Sequence, residues 1–122
     1  MTDNILIVED SATMRAFISS AIESVGDYDI YEAPTGFEAL KLLPQVRFQL
    51  VVTDINMPDI NGLELINFIR KNEQYKDIPL IIISTEGTEN DRKKGIGLGA
   101  NEYLVKPFKP EALQKFIKRY IG

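Results

Sequence analysis

Short apolar segments that end in polar residues constrain the fold of this chain more than any other feature. The clearest is the strand-like stretch 50–53, which ends at Asp54 and is followed at once by a loop containing Pro58 and Gly62. Three further segments share the pattern: 5–8 before Glu9 and Asp10, 79–83 before Ser84 and Thr85, and 103–105 before Lys106 and Pro107. Short apolar runs bounded by turn residues are typical of buried strands. Each of these polar residues is therefore predicted to stand at the end of a strand.

Apolar residues between these segments recur at the spacing of amphipathic helices. Ser11 is a predicted N-cap for the first helix, which ends at Gly26 and has one apolar face: Met14, Ile18, Ala21, Ile22 and Val25. Three later helices have faces of the same kind: Phe37, Leu40 and Leu43; Leu63, Ile66 and Ile69; and Leu113, Phe116, Ile117 and Tyr120. The last of these helices begins with Pro110, at a position where proline is favoured.

A fifth helix is predicted over residues 88–98, with little to anchor it. It contains two large apolar side chains, Ile96 and Leu98, and two glycines, Gly95 and Gly97. An interior glycine costs about 1 kcal/mol relative to alanine. We therefore expect this helix to be the least stable element of the domain. It is either an ordinary exposed helix or a segment that shifts during function.

Five predicted strands alternate with the five helices, at about residues 4–8, 28–33, 49–53, 80–84 and 102–105. This alternation predicts an α/β fold whose parallel sheet is covered on both faces. Right-handed crossovers place the carboxyl ends of parallel strands at one edge of the sheet. Five polar residues are therefore predicted to share that edge: Glu9, Asp10, Asp54, Ser84 and Lys106.

The chain contains no cysteine and no histidine. These absences exclude Ser-His-Asp and Cys-His catalysis, imidazole general bases and zinc sites. An active site must use carboxylates, hydroxyls, amines and main-chain groups, and such oxygen ligands favour Mg²⁺ or Mn²⁺. The lack of cysteine fits a reducing cytoplasm. No apolar run approaches the roughly 20 residues of a membrane span, and no signal peptide precedes the first strand.

The formal net charge of −4 gives no electrostatic case for nucleic-acid binding. Residues 106–119 are nevertheless locally basic, with Glu111 as their single acid and five basic residues: Lys106, Lys109, Lys115, Lys118 and Arg119. This segment is either a solvated helix face or a docking surface for an acidic partner.

Three carboxylates at one edge of the sheet would repel one another, and a divalent cation would relieve that repulsion. Glu9, Asp10 and Asp54 are therefore predicted to bind a metal, with Mg²⁺ as the first candidate. The alternative is that Glu9 and Asp10 cap the first helix together with Ser11.

Asp54 is the candidate nucleophile, because a carboxylate can attack phosphorus and form an acyl phosphate. Phosphoryl transfer depends mainly on neutralising charge on the phosphoryl oxygens, for which Lys106 and Ser84 would supply an ammonium and a hydroxyl. The alternative interpretation is that Lys106 is an ordinary surface lysine with no role in transfer. A phosphatase with an aspartate nucleophile is a competing hypothesis, but it needs a second acid two residues later, where this chain has Asn56.

These motifs resemble the receiver domain of two-component response regulators, and most of all the stand-alone chemotaxis type. The resemblance covers residues 5–121 and rests on the acidic pair, the Asp-x-x-Met-Pro-x-x-x-Gly loop from Asp54, Ser84 and Lys106-Pro107. It implies a flavodoxin-like (βα)5 doubly wound sandwich with a five-stranded parallel sheet in the order 2-1-3-4-5. We expect residues 1–122 to form a single receiver domain with no output domain. A receiver cut from a longer protein is the alternative.

The resemblance also implies the chemistry of the acidic residues. Asp54 would accept a phosphoryl group from a phosphohistidine on a sensor histidine kinase. Mg²⁺, or Mn²⁺ in its place, would be bound by Glu9, Asp10, Asp54 and the main-chain carbonyl of Asn56.

The resemblance also implies roles for the remaining site residues, in binding the phosphoryl group and in switching. Ser84 and Lys106 would contact the phosphoryl oxygens, and the Lys106–Pro107 peptide would be cis. Tyr103 would be an aromatic switch that swings inward as Ser84 is drawn to the phosphate. Two variable positions would tune loss of the phosphoryl group: Asn56 and Glu86.

The implied function is a signalling switch and not an enzyme, since it catalyses only its own Mg²⁺-dependent phosphoryl transfer and slow autodephosphorylation. The expected partners are the kinase, a target such as a flagellar motor switch protein, and a phosphatase as a further candidate. We expect a cytoplasmic monomer without nucleic-acid or membrane partners. A phosphorelay or cell-cycle role is the alternative to chemotaxis. A receiver-like fold that no longer accepts phosphate is disfavoured, because every carboxylate and the lysine are present.

Overall fold

The computed structural model describes residues 2–122, which form five strands and five helices in strict alternation. The strands are β1 (Asp3–Val8), β2 (Tyr28–Ala33), β3 (Leu50–Asp54), β4 (Leu80–Ser84) and β5 (Glu102–Val105). The helices are α1 (Ala12–Glu23), α2 (Gly36–Leu42), α3 (Gly62–Lys71), α4 (Glu89–Gly97) and α5 (Pro110–Ile121). The predicted order of elements is confirmed, and each predicted strand differs from the observed one by at most one residue at either end.

All five strands are parallel and lie in the order β2-β1-β3-β4-β5. This confirms the predicted doubly wound sandwich and its strand order. The register aligns the carboxyl ends of neighbouring strands: Val8 beside Thr53, Asp54 beside Ile83, and Ser84 beside Val105. The residues that follow these strands are therefore held close together at one edge of the sheet.

The sheet separates two apolar cores, because successive residues of a strand point to opposite faces. One core contains Leu6, Val51 and Ile82 and is covered by α2, α3 and α4. The other contains Ile7 and Val52 and is covered by α1 and α5. Strands β3 and β4 are buried along their whole length. Their polar end residues, Asp54 and Ser84, are therefore buried as well.

Side-chain caps fix the starts of four helices close behind the strand ends. Each capping oxygen accepts a hydrogen bond from a main-chain N–H in the first turn: Ser11 from Met14, Thr35 from Glu38, Asn61 from Glu64 and Thr88 from Asp91. Thr88 and Asp91 form a reciprocal capping box. The predicted cap at Ser11 and the predicted proline at the start of α5 are confirmed.

The predicted inward face of α2 is partly wrong. Phe37 is 57% exposed, whereas Ala39 and Leu43 are buried in the core. The reason lies at Gly36, which is buried against the main chain of Ile60; a Cβ at Gly36 would lie only 2.8 Å from the Ile60 carbonyl oxygen. This close approach turns the face of Gly36 and Ala39 inward, so that Phe37 points to solvent.

Few residues anchor helix α4, as predicted. Gly95 is its only buried residue within the described chain, and Ile96 is partly buried against the core. A Cβ at Gly95 would lie 2.6 Å from Cδ1 of Ile82 and 3.2 Å from the ring of Tyr103. The helix therefore approaches the sheet through a glycine and presents mainly charged side chains to solvent. Between residues 2 and 122, no helix has both the length and the apolar character needed to cross a membrane.

Candidate functional site

The carboxyl edge of the sheet brings the predicted site residues together. Glu9 follows β1, Asp54 and Ser84 end β3 and β4, and Lys106 follows β5. Glu9 is only 1% exposed, Asp54 5%, and Ser84 is fully buried. Burial of two carboxylates at one edge is costly unless a cation or hydrogen-bond donors compensate for the lost hydration.

An acidic cluster forms the centre of the site. One carboxylate oxygen from each of Glu9, Asp10 and Asp54 lies within 4.8 Å of the other two. Glu9 and Asp54 are buried, whereas Asp10 faces solvent. The predicted convergence of these three residues is therefore confirmed as geometry, and its exposed side is formed by Asp10.

Lys106 is the counter-charge of the cluster. Its Nζ donates hydrogen bonds to Oε1 of Glu9 at 2.5 Å and to Oδ2 of Asp54 at 3.2 Å. Burial alone would lower the pKa of Lys106, but the hydrogen bond to Glu9 and the charges of Asp54 and Glu9 outweigh it and hold this pKa above its ordinary value. The ammonium is thus charged at neutral pH. The Lys106–Pro107 peptide is cis, as the resemblance implied.

Glu9 is held by main-chain as well as side-chain donors. Its Oε2 accepts a hydrogen bond from the N–H of Ser11 at 3.1 Å. Burial raises the pKa of the Glu9 carboxyl, and the hydrogen bonds from Lys106 and Ser11 oppose that effect only in part. Among residues 2–122, every buried side-chain nitrogen and oxygen has a hydrogen-bond partner. The carboxylates are therefore satisfied by donors of the chain itself.

The loop after β3 fixes the carboxylate of Asp54. Its Oδ1 accepts hydrogen bonds from the N–H of Ile55 at 2.7 Å and of Asn56 at 3.3 Å. The loop then returns so closely that the N–H of Gly62 bonds to the carbonyl of Ile55 at 2.8 Å. A Cβ at Gly62 would lie 2.1 Å from the carbonyl oxygen of Asp54, so only glycine fits there. Gly62 of the sequence motif is thus explained by the tight return of the chain.

Asp59 anchors the same loop to helix α2, a role that sequence reasoning missed. Its two carboxylate oxygens accept hydrogen bonds from the N–H of Gly36 at 3.1 Å and of Phe37 at 2.9 Å. Desolvation would raise the pKa of Asp59, but the main-chain donors of Phe37, Ile60 and Gly36 together lower it. No local sequence pattern indicates a cap supplied from more than 20 residues away.

The predicted switch residues meet at Glu86. The N–H of Glu86 donates to Oγ of Ser84 at 3.0 Å, and its carbonyl accepts from the hydroxyl of Tyr103 at 2.6 Å. Tyr103 is only 7% exposed. The ring of Tyr103 therefore already lies inside in this conformation, and its inward swing on phosphorylation stays a prediction. Gly95 leaves the space that the ring occupies.

The two predicted tuning positions stand beside this site. The side chains of Asn56 and Glu86 are exposed. Their main-chain N–H groups bond to Asp54 and Ser84 respectively. The two residues are therefore tied through their main chains to Asp54 and to Ser84, from two different loops.

Comparison with known proteins identifies the class. The family model of the response regulator receiver domain matches residues 5–118. The chain belongs to this family and is a CheY-like receiver domain of a two-component system. Members of the family are signalling proteins.

One relative of known name and two solved structures are similar to this chain over nearly its whole length. A chemotaxis protein CheY homolog of Campylobacter jejuni subsp. jejuni (strain 81-176) is 38% identical over 119 residues, which is 97% of this chain and 92% of the relative. The structure of the Vibrio cholerae chemotaxis protein CheY4 superposes with a TM-score of 0.90 at 34% identity, over 99% of this chain and 100% of that chain. The receiver domain of a Pseudomonas aeruginosa PAO1 sensor histidine kinase gives a TM-score of 0.88 at 29% identity, over 100% and 99% of the two chains, and has a magnesium ion in its active-site cleft.

Proposed function

We propose that this protein is a phosphorylation-controlled signalling switch in which Asp54 accepts a phosphoryl group from a phosphohistidine of a sensor kinase. The observation that carries the proposal is the setting of the Asp54 carboxylate. It lies within 4.8 Å of two further carboxylates and 3.2 Å from the Lys106 ammonium. A nucleophilic oxygen beside a fixed cation suits attack on an anionic phosphoryl group.

The donor set of the site fits a divalent cation of the Mg²⁺ type. Three carboxylates face a single ammonium, so negative charge is in excess within the cluster. Glu9, Asp10, Asp54 and the main-chain carbonyl of Asn56 would hold Mg²⁺, or Mn²⁺ as a substitute, because hard cations prefer oxygen ligands. The related kinase receiver with magnesium in its cleft supports this assignment. When bound, the ion would supply positive charge for the phosphoryl oxygens.

The side chains of this protein have distinct tasks in the transfer. An oxygen of Asp54 forms a bond to phosphorus as the P–N bond of the donor phosphohistidine breaks, and the electron pair of that bond stays on the imidazole nitrogen. Lys106 offers its ammonium to the phosphoryl oxygens, since it is charged and already 3.2 Å from Asp54. Oγ of Ser84 accepts from Glu86, which leaves the hydroxyl proton for donation to a phosphoryl oxygen. Exposed side chains at Asn56 and Glu86 would tune the lifetime of the acyl phosphate.

The switch would pass from Ser84 to Tyr103 through Glu86. Both residues are hydrogen-bonded to the main chain of Glu86, so a movement of Ser84 toward the phosphate would alter the contact made by Tyr103. Helix α4, which few residues anchor, follows Glu86 closely in the chain. We propose that the output surface comprises α4, β5 and α5, including the basic side chains of residues 109–119.

Chemotaxis is the pathway that the relatives support, since the Campylobacter and Vibrio proteins are named chemotaxis proteins. A flagellar motor switch protein is then the proposed target, with a phosphatase as a further partner and a phosphorelay or cell-cycle role as the alternative. Residues 1–122 would act as a receiver domain and as a monomer that is not an enzyme for external substrates.

The phosphoryl-transfer proposal is tested with acetyl phosphate. We expect one phosphoryl group per chain in Mg²⁺, detected by intact mass spectrometry at neutral pH, and none after EDTA treatment. Asp54→Asn should fold normally and remain unlabelled, whereas the matched variant Asp59→Asn should still be labelled. Full labelling of Asp54→Asn, or labelling that is indifferent to EDTA, would contradict the proposal.

The pathway is tested separately with purified partners. Beryllofluoride-loaded protein should bind the flagellar motor switch protein of the same organism more tightly than unloaded protein does, as measured by calorimetry. Charge reversal at Lys118 on α5 should weaken that binding, whereas charge reversal at Lys41 on α2 should not. Equal binding by loaded and unloaded protein, or no binding by either, would reject this target.

A further inference from the structure

Arg15 forms a hydrogen bond with the main chain of the acidic cluster, and none of the roles proposed above involves this residue. It lies in the first turns of α1, and its side chain is 19% exposed. Its guanidinium NH1 donates to the main-chain carbonyl of Glu9 at 2.8 Å. Its Nε donates to Oε1 of Glu32 on β2 at 3.1 Å. The guanidinium is thus held by Glu32 and is directed at the main chain of a cluster residue.

The main chain of Glu9 is consequently fixed on both sides. Its N–H bonds to the carbonyl of Ala33 at 3.0 Å, and its carbonyl bonds to Arg15. Ala33 and Glu32 are adjacent on β2, so strand β2 and Arg15 together set the orientation of the Glu9–Asp10 peptide. Asp10 is the exposed member of the cluster, and its direction on leaving β1 depends on that peptide.

We propose that Arg15 is a positioning residue for the divalent cation. By holding the carbonyl of Glu9, it fixes the backbone from which Asp10 projects and keeps the three carboxylates converged. The inference rests on the proposed metal site and deepens it, because outer partners that orient ligands control metal affinity. Arg15 itself would touch neither the metal nor the phosphoryl group.

The sign of the effect separates positioning from simple electrostatics. Arg15 is a cation close to the acidic cluster, so its charge opposes the binding of a second cation. If charge were its only influence, neutralising Arg15 would tighten Mg²⁺ binding. If Arg15 positions the ligands, neutralising it would weaken Mg²⁺ binding in spite of the favourable change in charge.

The test is an NMR titration of Mg²⁺ into the wild type, Arg15→Gln and Arg15→Lys. We expect the Kd of Arg15→Gln to rise about tenfold, the usual effect of losing a group that orients a ligand. Arg15→Lys keeps the charge but cannot span both acceptors, so its Kd should rise by a smaller factor. Lys41→Gln removes an exposed charge on α2, where Lys41 pairs only with Glu38, and its Kd should match the wild type.

A second readout needs no metal. In metal-free protein, the amides of Asp10 and Ser11 should exchange faster in Arg15→Gln than in the wild type, while those of β3 stay unchanged. Arg15→Lys provides both measurements if Arg15→Gln proves poorly folded by circular dichroism. An unchanged or lower Kd in Arg15→Gln, or an unchanged Kd in Arg15→Lys, would overturn the inference while the wild type still binds Mg²⁺. Failure of the wild type to bind Mg²⁺ would overturn the proposed metal site and this inference together.

Discussion

The ammonium of Lys106 lies 2.5 Å from a carboxylate oxygen of Glu9, although the two residues follow strands that are not neighbours in the sheet. Strands β3 and β4 separate β1 from β5, so the lysine side chain extends across their ends. On its way it also contacts Asp54. This ion pair therefore links the middle of the sheet to its β5 edge.

Removing Lys106 should destabilise the fold, because it leaves Glu9 buried without its cation. We expect Lys106→Met to lower the free energy of unfolding by about 2 kcal/mol or more in metal-free buffer. The double variant Lys106→Met/Glu9→Gln should recover most of that loss, since the unpaired charge is removed as well. Urea denaturation of the wild type, the two single variants Lys106→Met and Glu9→Gln, and the double variant checks the expectation. A Lys106→Met variant as stable as the wild type would show that the pair contributes nothing net.

The anchor formed by Asp59 should depend on pH. A carboxylate whose pKa is lowered by folding stabilises the fold above its unfolded pKa, and this contribution is lost as the pH falls through its folded pKa. The amide resonances of Gly36 and Phe37 should therefore titrate together, with a midpoint below the roughly 3.9 of an ordinary aspartate. Two-dimensional NMR spectra from pH 6 downwards would record it.

Asp59→Asn is the matched control for that titration. Its amide oxygen can still accept one hydrogen bond but carries no charge, so the pH-dependent shifts of Gly36 and Phe37 should disappear. Shifts that persist in this variant would assign the titration to another group. A wild-type midpoint above the ordinary aspartate value would contradict the inferred direction of the pKa shift.

The two glycines of α4 should respond in opposite ways to the same substitution. A Cβ at Gly95 would lie 2.6 Å from Ile82, whereas nothing lies within 4 Å of a Cβ at Gly97. Gly97→Ala should raise the free energy of unfolding by about 0.5 kcal/mol, because alanine restricts the unfolded chain. Gly95→Ala should lower it by about 1 kcal/mol or more through overpacking against Ile82 and Tyr103. Equal effects at both positions would show that α4 does not pack as described.

Arg70 should be among the most important polar residues for stability. Its guanidinium donates to three main-chain carbonyls and one side chain on segments that follow α3 and α4: Lys76, Ile78, Gly99 and Asn101. Arg70→Ala removes the side-chain donor of the three carbonyls, whereas Asn101 keeps its bond from the N–H of Leu80. We expect a loss of about 3 kcal/mol in urea denaturation. The adjacent exposed residue provides the comparison, since Lys71→Ala should change stability by less than about 0.5 kcal/mol. Similar losses for the two variants would refute this role.

The strands and the location of the site could be predicted because both depend on local patterns. Short apolar runs indicate buried strands, and parallel crossovers then place Glu9, Asp54 and Lys106 at one edge of the sheet. Contacts between distant segments have no such pattern. Neither the caps that Asp59 provides for α2 nor the outward turn of Phe37 follows from helical periodicity. Both result from the close approach of Gly36 to the loop after β3.

Tyr103 shows a second limit of sequence reasoning. Its position in β5 was predicted, but the conformation of its side chain depends on a carbonyl in the loop after β4 and on space beside α4. The absence of a side chain at Gly95 makes that space available, and the carbonyl of Glu86 satisfies the hydroxyl. Such a combination becomes visible only when three segments are placed together.

The exposed position of Asn56 and Glu86 has a consequence for engineering. Neither side chain belongs to either apolar core, although both lie next to residues that would act in the transfer. Libraries at these two positions should therefore sample a wide range of signal durations at nearly constant melting temperature. Duration and thermal robustness could then be selected independently in the same domain.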